Sequence, residues 1–309
     1  MEIVALGYLG LESAHASDWA EYGPQVLGFG LAPSDGGTVL LRMDDRHHRI
    51  AVRPAAQERL TYVGWELLNA PAWHDALATL AADGIAYTVG DAALCDERQV
   101  HRLAWFIGPD RMRHELFYGQ SFHPHSFLPG RPHSGFVAGR GGLGHVVLAV
   151  PEWTDELQHF VDDVLGFKWY GSGMSVGRLR FFRPRRNNRS HAIGYSVIPN
   201  TYGLQHLGIE VNTLDDVGIA YDLVQERGIQ LMATLGRHAQ DPVISFYSYT
   251  PSGFPVEYIW DGLEDTDTEP FVEGRPQRVS VWGHKFLKDA PQPATLYRVE
   301  DVPEPAQAG

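Results

Sequence analysis

Cysteine is nearly absent. Cys95 stands alone in 309 residues, which excludes an intrachain disulfide framework and gives no sign of an oxidising compartment. Positive charge is short as well, since 25 Lys and Arg against 38 Asp and Glu leave a formal net charge of −13. Phosphate backbones and anionic membrane surfaces are held by clustered Lys and Arg, so neither nucleic acid nor a membrane is expected as a partner. Long apolar runs are missing too. The opening MEIVALGYLGLE has an acid at Glu2 and no basic stretch ahead of its apolar residues. Neither a signal peptide nor a membrane-spanning helix is expected, and the chain reads as cytoplasmic. What is there is a globular composition, 44% hydrophobic and 20% charged, with length enough for two domains. Fifteen His residues make a metal or acid–base site worth seeking.

The chain repeats itself. Val26-Leu27-Gly28-Phe29 returns as Val164-Leu165-Gly166-Phe167, and Gly7-Tyr8-Leu9 matches Gly144-His145-Val146. Leu60-Thr61-Tyr62-Val63-Gly64-Trp65-Glu66 matches Leu204-Gln205-His206-Leu207-Gly208-Ile209-Glu210. Gly84-Ile85 matches Gly228-Ile229, and the stretch from Pro109 to Glu115 matches that from Pro251 to Glu257. Five matches in one order, at offsets between 137 and 144, define two copies of one module.

Each copy has the same grammar. An apolar strand leads to an amphipathic helix ending at Gly-Phe, then two strands, a third strand, a second helix closed by Gly84 or Gly228, and a hairpin. The expected fold is α+β, two tandem modules that each hold a pair of βαβββ units. The boundaries read as 1–135 for a module without a metal site, 136–290 for a catalytic module and 291–309 for an extended tail. The Pro- and Gly-rich stretch 121–142 reads as the linker.

Matched positions in the two copies differ in a way that carries chemistry. The first-strand position is Tyr8 in one and His145 in the other, and the third-strand position is Tyr62 in one and His206 in the other. The hairpin position is Glu115 or Glu257. Two His and a carboxylate on neighbouring strands make the 2-His-1-carboxylate set of non-haem Fe(II) sites, and the same set accepts Mn(II). The first copy has phenols where imidazoles are needed, so it cannot build this site. Any one strand His is more often a satisfied core residue than a ligand, but three ligand types at equivalent positions favour the metal. His47 and His48 are expected to point to opposite faces of a strand, and with His101 and His114 to lie on the surface or in loops. His123, His125 and His133 are expected to be exposed in the linker.

The strings LGYLGLE, GLGHVVLAV, LDDVG, TLGRHAQD, SFYSYTPSGFPVEY and WGHKF, in this order, resemble the type I extradiol dioxygenases of the vicinal oxygen chelate superfamily. The likeness is to the 2,3-dihydroxybiphenyl 1,2-dioxygenases and covers about residues 1–287. The resemblance implies a glyoxalase-like fold and ring opening of a catechol by both atoms of O2, with a yellow hydroxy-keto-dienoic acid as product. It implies His145, His206 and Glu257 as metal ligands and a homo-oligomer. It further implies His191 as the acid–base residue, His238 and Tyr247 as partners of the substrate oxygens, and Asp241 as the residue orienting His238. Without it, His191 reads as a polar loop residue and Tyr247 equally as an ordinary strand aromatic.

The chain departs from the family pattern at Ser190, where a second His is usual, and at Gln240, where Asn is common. Both lie around the expected substrate pocket. Candidate pocket residues are Val147, Met174, Phe181, Phe182, Gln240 and Ser280, the last within Val279 to Val281. A wide apolar pocket suits a bicyclic or biaryl catechol such as 2,3-dihydroxybiphenyl. Two other readings stay open: a metal-dependent glyoxalase or epimerase of the same superfamily, and a non-catalytic protein that binds an aromatic ligand.

Overall fold

The computed structural model describes residues 1–171, 178–264 and 278–301. The first sheet is built from β1 (Ile3–Ser13), β2 (Gly30–Ala32), β3 (Val39–Arg42), β4 (Ile50–Pro54), β5 (Arg59–Leu67), β6 (Thr88–Val89), β7 (Val100–Ile107) and β8 (Arg113–Gln120). Their order across the sheet is β2-β3-β4-β1-β5-β8-β7-β6. Three helices accompany it, α1 (Trp19–Tyr22), α2 (Ala70–Ala82) and α3 (Ala92–Arg98).

The second sheet repeats the plan. It contains β9 (His145–Val150), β10 (Lys168–Gly171), β11 (Leu179–Arg183), β12 (Ile193–Val197), β13 (Thr201–Glu210), β14 (Leu231–His238), β15 (Ile244–Tyr249) and β16 (Pro255–Trp260). Two more strands, β17 (Ser280–Gly283) and β18 (Leu296–Arg298), join at β14 and β13. The order is β10-β11-β12-β9-β13-β16-β15-β14-β17, the first sheet's order with one strand added at the end. Its helices are α4 (Asp155–His159) and α5 (Leu214–Glu226). The repeat read from short strings is therefore a repeat of sheet topology.

Local sequence accounts for the matched helices. Asn69 caps α2 by accepting from Ala72 N, and Thr213 caps α5 by accepting from Asp216 N. Gly84 and Gly228, at φ of 71° and 64°, end them in the left-handed conformation. The first helix of each copy departs from expectation. A short α turn continues as a wider π turn over Gly23–Leu27 or Phe160–Val164, and stops at Gly28 or just before Gly166.

One apolar core runs through both modules, from Leu6 and Trp65 to Ile193 and Tyr258. Polar chains also cross the boundary. Trp65 Nε1 donates to His114 Nδ1 (2.9 Å), His114 Nε2 donates to Asp110 (3.1 Å), and the Tyr195 hydroxyl donates to Asp110 (2.8 Å).

That network corrects the reading of His114, which is fully buried because Asp110 and Trp65 satisfy both of its nitrogens. His133 is corrected likewise. Its ring stacks on Phe136 and its Nε2 meets the Tyr258 hydroxyl at 2.7 Å, so this linker residue is pinned against β16. His48 is buried too. Residues 43–49 form a loop, so strand alternation does not apply, and the Nδ1 atoms of His47 and His48 lie 3.0 Å apart. The expected tail also packs. Thr295 is fully buried and donates to Leu204 O, and β18 extends the second sheet.

Candidate metal centre

Three adjacent strands of the second sheet bring the site together. His145 opens β9 and lies opposite Gly208 of β13, and Gly208 lies opposite Glu257 of β16. A Cβ at Gly208 would come within 2.0 Å of the His145 ring, so only glycine lets the imidazole lie over β13. His206 stands two residues earlier on β13, paired with Val147. All three side chains leave the sheet on one face.

Their donor atoms form a near-equilateral triangle. His145 Nε2 is 3.3 Å from both His206 Nε2 and Glu257 Oε2, and the third edge is 3.5 Å. Among the described residues this is the one group of His, Cys, Asp or Glu side chains whose donor atoms all lie within 4.8 Å of one another. All three are buried. Burial alone would raise the Glu257 pKa, but hydrogen bonds from His145, His206 and His238 hold it well below the usual carboxylate range. Burial depresses His145 against the pull of Glu257. A buried carboxylate beside two imidazoles is the donor chemistry that a divalent cation completes.

Glu257 is oriented by its neighbours. Ser245 Oγ donates to Oε1 at 2.8 Å, and His238 Nε2 donates to the same oxygen at 3.1 Å. His238 Nδ1 faces the carbonyl oxygen of Val279 and its Nε2 also meets the Tyr247 hydroxyl at 3.0 Å. Burial works against a charged His238, yet Glu257 raises its pKa above the ordinary value. Burial and the nearby Glu257 push the Tyr247 phenol up, so it stays a donor.

His191 lies just before β12, its ring centroid 4.1 Å from that of His145. Burial, then the neighbouring His145, take its pKa well below the usual imidazole value. Its Nδ1 is 3.0 Å from Ser190 Oγ, which in turn donates to Asp241. Asp241 was expected to orient His238, and the contacts correct this. Its carboxylate takes Ser190 and the backbone N–H of Leu263, so it serves the His191 side of the site. Burial raises its pKa to about 6.

A cavity of about 140 Å³ opens over the triangle, walled by Leu179, Phe181, Met232, Val243, Ile259 and Phe286. His191, His238, Gln240, Asp241 and Tyr247 also line it. Three expected pocket residues do not. Phe182 faces the opposite side of β11 and stacks on Trp153 in the core, leaving Phe181 on the cavity side. Val147 lies beneath Phe181, and a Cβ at Gly194 would meet both at 2.9 Å. Ser280 is turned to His284 Nδ1 at 2.8 Å, while Val279 beside it does line the cavity. Met174 lies outside the described residues.

The sequence reading passed over Ser245 and His284. His284 Nε2 meets Ser245 Oγ at 3.2 Å, and its ring centroid is 4.1 Å from that of His238. It also gave His191 no support from the repeat, although the support exists. Ile50 pairs with Leu9 as Ile193 pairs with Val146, so His48 and His191 are counterparts.

Comparison with known proteins agrees with this geometry. Residues 6–54 match a family model described as dihydroxybiphenyl dioxygenase BphC D1. An iron-dependent extradiol dioxygenase of Rhodococcus jostii is 36% identical over 93% of this chain and 98% of its own. A biphenyl-2,3-diol 1,2-dioxygenase of Metapseudomonas furukawaii is 36% identical over 98% of this chain and all of its own. Among solved structures, BphC, a halotolerant catechol dioxygenase, superposes with a TM-score of 0.88 at 34% identity, covering 96% of this chain and 99% of that one.

Proposed function

The chain belongs to the extradiol ring-cleavage dioxygenases of the vicinal oxygen chelate fold, and we propose that it opens a biaryl catechol of the 2,3-dihydroxybiphenyl type. In this reading the ring carbon–carbon bond beside the hydroxyl pair is broken and both atoms of O2 end in the open-chain product, and His145, His206 and Glu257 would hold the Fe(II) that the reaction needs. The observation that carries it is the buried donor triangle, with edges of 3.3 to 3.5 Å, at the floor of an apolar cavity. Such edges fit three ligand atoms around one cation with bonds of about 2.1 Å. The set leaves further coordination positions open, as oxygen chemistry requires, and Mn(II) fits it as well.

Fe(II) bound there would supply Lewis acidity and redox capacity next to the bound catechol. The protein's part is placement and protons. Ser245 and His238 fix Glu257, so the carboxylate is preorganised before a substrate arrives. Tyr247 presents a donor on one side of the triangle, where a deprotonated catechol oxygen is stabilised by a hydrogen bond, and His238, in contact with both Tyr247 and Glu257, holds that side in place. His191, kept neutral by burial, stands on the other side as the group that accepts or returns a proton. Phe181, Val243, Ile259 and Phe286 exclude water from the ring and give a second aromatic ring an apolar wall. Gln240 is a polar residue in that wall, its amide oxygen and nitrogen both buried without a partner among the described residues. Among the described residues the first module holds no second donor group of this kind, and the proposed enzyme is a cytoplasmic homo-oligomer.

Anaerobic loading with Fe(II), addition of 2,3-dihydroxybiphenyl and then air tests the reading. A yellow product with O2 uptake is expected, with a higher kcat/KM than for unsubstituted catechol. An iron-loaded protein that consumes no O2 with any catechol would overturn it. Sedimentation velocity reads the oligomer.

A further inference from the structure

We infer that Ser190 is a positioning residue that fixes the tautomer of His191, holding the hydrogen on Nδ1 and leaving Nε2 as the free nitrogen of a ring that lines the cavity. The inference rests on the proposed role of His191 but concerns atoms that are read separately from turnover.

Hydrogen bookkeeping forces the assignment. A serine hydroxyl has one hydrogen and two lone pairs. Ser190 Oγ is in hydrogen-bond contact with the Asp241 carboxylate and with His191 Nδ1, the latter at 3.0 Å. An ionised carboxylate only accepts, so the single Ser190 hydrogen goes to Asp241. Toward His191, Ser190 then offers only a lone pair, and Nδ1 must carry the hydrogen. Ser190, His191 and Asp241 are all buried, which keeps these bonds largely out of bulk solvent. The other Asp241 oxygen is fixed by the backbone N–H of Leu263, which holds the carboxylate in place.

The first module supplies an internal control. There the counterpart pair is His47 and His48, with Nδ1 atoms 3.0 Å apart. The residue before the buried His reaches its Nδ1 in both copies. In the first copy that residue is an imidazole, able to donate or accept, so nothing defines the tautomer of His48. In the second copy a hydroxyl committed to a carboxylate removes the choice. A neutral imidazole with its hydrogen on the wrong nitrogen cannot accept a proton from a cavity ligand, so the lock selects the useful form of His191.

Long-range proton–nitrogen correlation on the metal-free full chain labelled with 15N-histidine reads the tautomer directly. The His191 signals are identified by their loss in His191→Asn. Wild type should show Nδ1 protonated and Nε2 bare. Ser190→Ala should show a mixture, and Ser190→Thr, which keeps the hydroxyl, should restore the wild-type pattern. In the iron-loaded protein, Ser190→Ala should lower kcat about tenfold with iron content and KM for the catechol little changed, and Ser190→Thr should recover it. A wild-type His191 with its hydrogen on Nε2, or an unchanged tautomer in Ser190→Ala, would overturn the inference. Should wild type fail to turn over any catechol, the functional reading falls while the spectra still decide the role of Ser190.

Discussion

The two modules share a strand order and a buried glutamate, and they neutralise that glutamate in opposite ways. In the second module Glu257 meets two imidazoles and a triangle fit for a cation. In the first, Glu115 occupies the same place in the same strand pairing, opposite Gly64 as Glu257 is opposite Gly208. There the cation is covalent. Arg98, delivered by the end of α3, bonds Glu115 through Nε at 3.0 Å and through Nη2 at 3.2 Å. The Tyr8 hydroxyl donates to Glu115 at 2.8 Å, Arg113 pairs with it at 2.8 Å, and the Arg98 guanidinium lies 3.7 Å over the Tyr62 ring. A carboxylate at the centre of this sheet has to be compensated, because an isolated buried charge is costly. One copy does so with two arginine side chains, and the other presents a donor triangle that fits a cation.

Small residues show how deep the difference goes. Tyr62 needs room that Gly10 provides, since a Cβ there would sit 2.1 Å from its ring. The counterpart of Gly10 is Val147, which pairs with His206 as Gly10 pairs with Tyr62. The smaller imidazole frees space for a β-branched side chain, which is why Val147 packs within the sheet face instead of lining the cavity.

The largest effect that separates the modules is loss of iron. His206→Ala should abolish both iron binding and O2 uptake, whereas Tyr62→Phe, at the matched position, should leave both in place, as metal analysis and an oxygen electrode will read. Next is the counterpart pair of buried histidines. His191→Ala should keep its iron and lose about 10²–10⁴-fold in kcat, while His48→Gln should turn over normally. A normal kcat in His191→Ala would remove it from the acid–base role.

A third effect falls on stability alone. Glu115→Gln should leave iron content unchanged in the folded protein and lower the unfolding free energy by about 3–5 kcal/mol in urea titration, since buried Arg98 and Arg113 lose the carboxylate they share and Arg98 keeps only the half-exposed Glu97. Replacing both partners, Glu115→Leu with Arg98→Met, should recover much of that loss. If Glu115→Gln is as stable as wild type, Arg98 does not act as the first module's cation.

The last effect is a pH slope, small per pH unit. Burial lowers the His48 pKa from 6.5 to about 3 in the folded chain. The unfolded chain therefore binds the extra proton between these values, and stability falls as pH drops from 6.5 toward 3. The contribution is up to about 1.4 kcal/mol per pH unit. His48→Gln should flatten the acid limb of a stability–pH curve by that amount, and an unchanged slope would contradict it.

The fold was legible because the repeat writes it twice. Gly-Phe ends, Gly84 with Gly228 and the strand strings recur at nearly constant spacing, and sheet pairing preserves that spacing. The donor triangle was legible for the same reason, as substitutions at matched positions. What the sequence hid are contacts with no local signature. Arg98 reaches Glu115 from a helix whose counterpart is missing in the second module, where β14 and His238 take its place beside Glu257. Ser190 and Asp241 are 51 residues apart and meet only through the packing of the loop before β12 against the end of β14. Phe181 and Phe182 differ only in strand phase, which neither residue type reveals. His48 lies in a loop, one of the two placements expected of it, but the burial of that loop has no local signature.

Iron stoichiometry is the most direct measurement. After anaerobic Fe(II) loading and gel filtration, wild type and Tyr62→Phe should each carry one iron per chain, and Glu257→Gln should carry none. Two irons in wild type, or iron retained by Glu257→Gln, would contradict the division of the two modules into a metal centre and a salt-bridged copy of it.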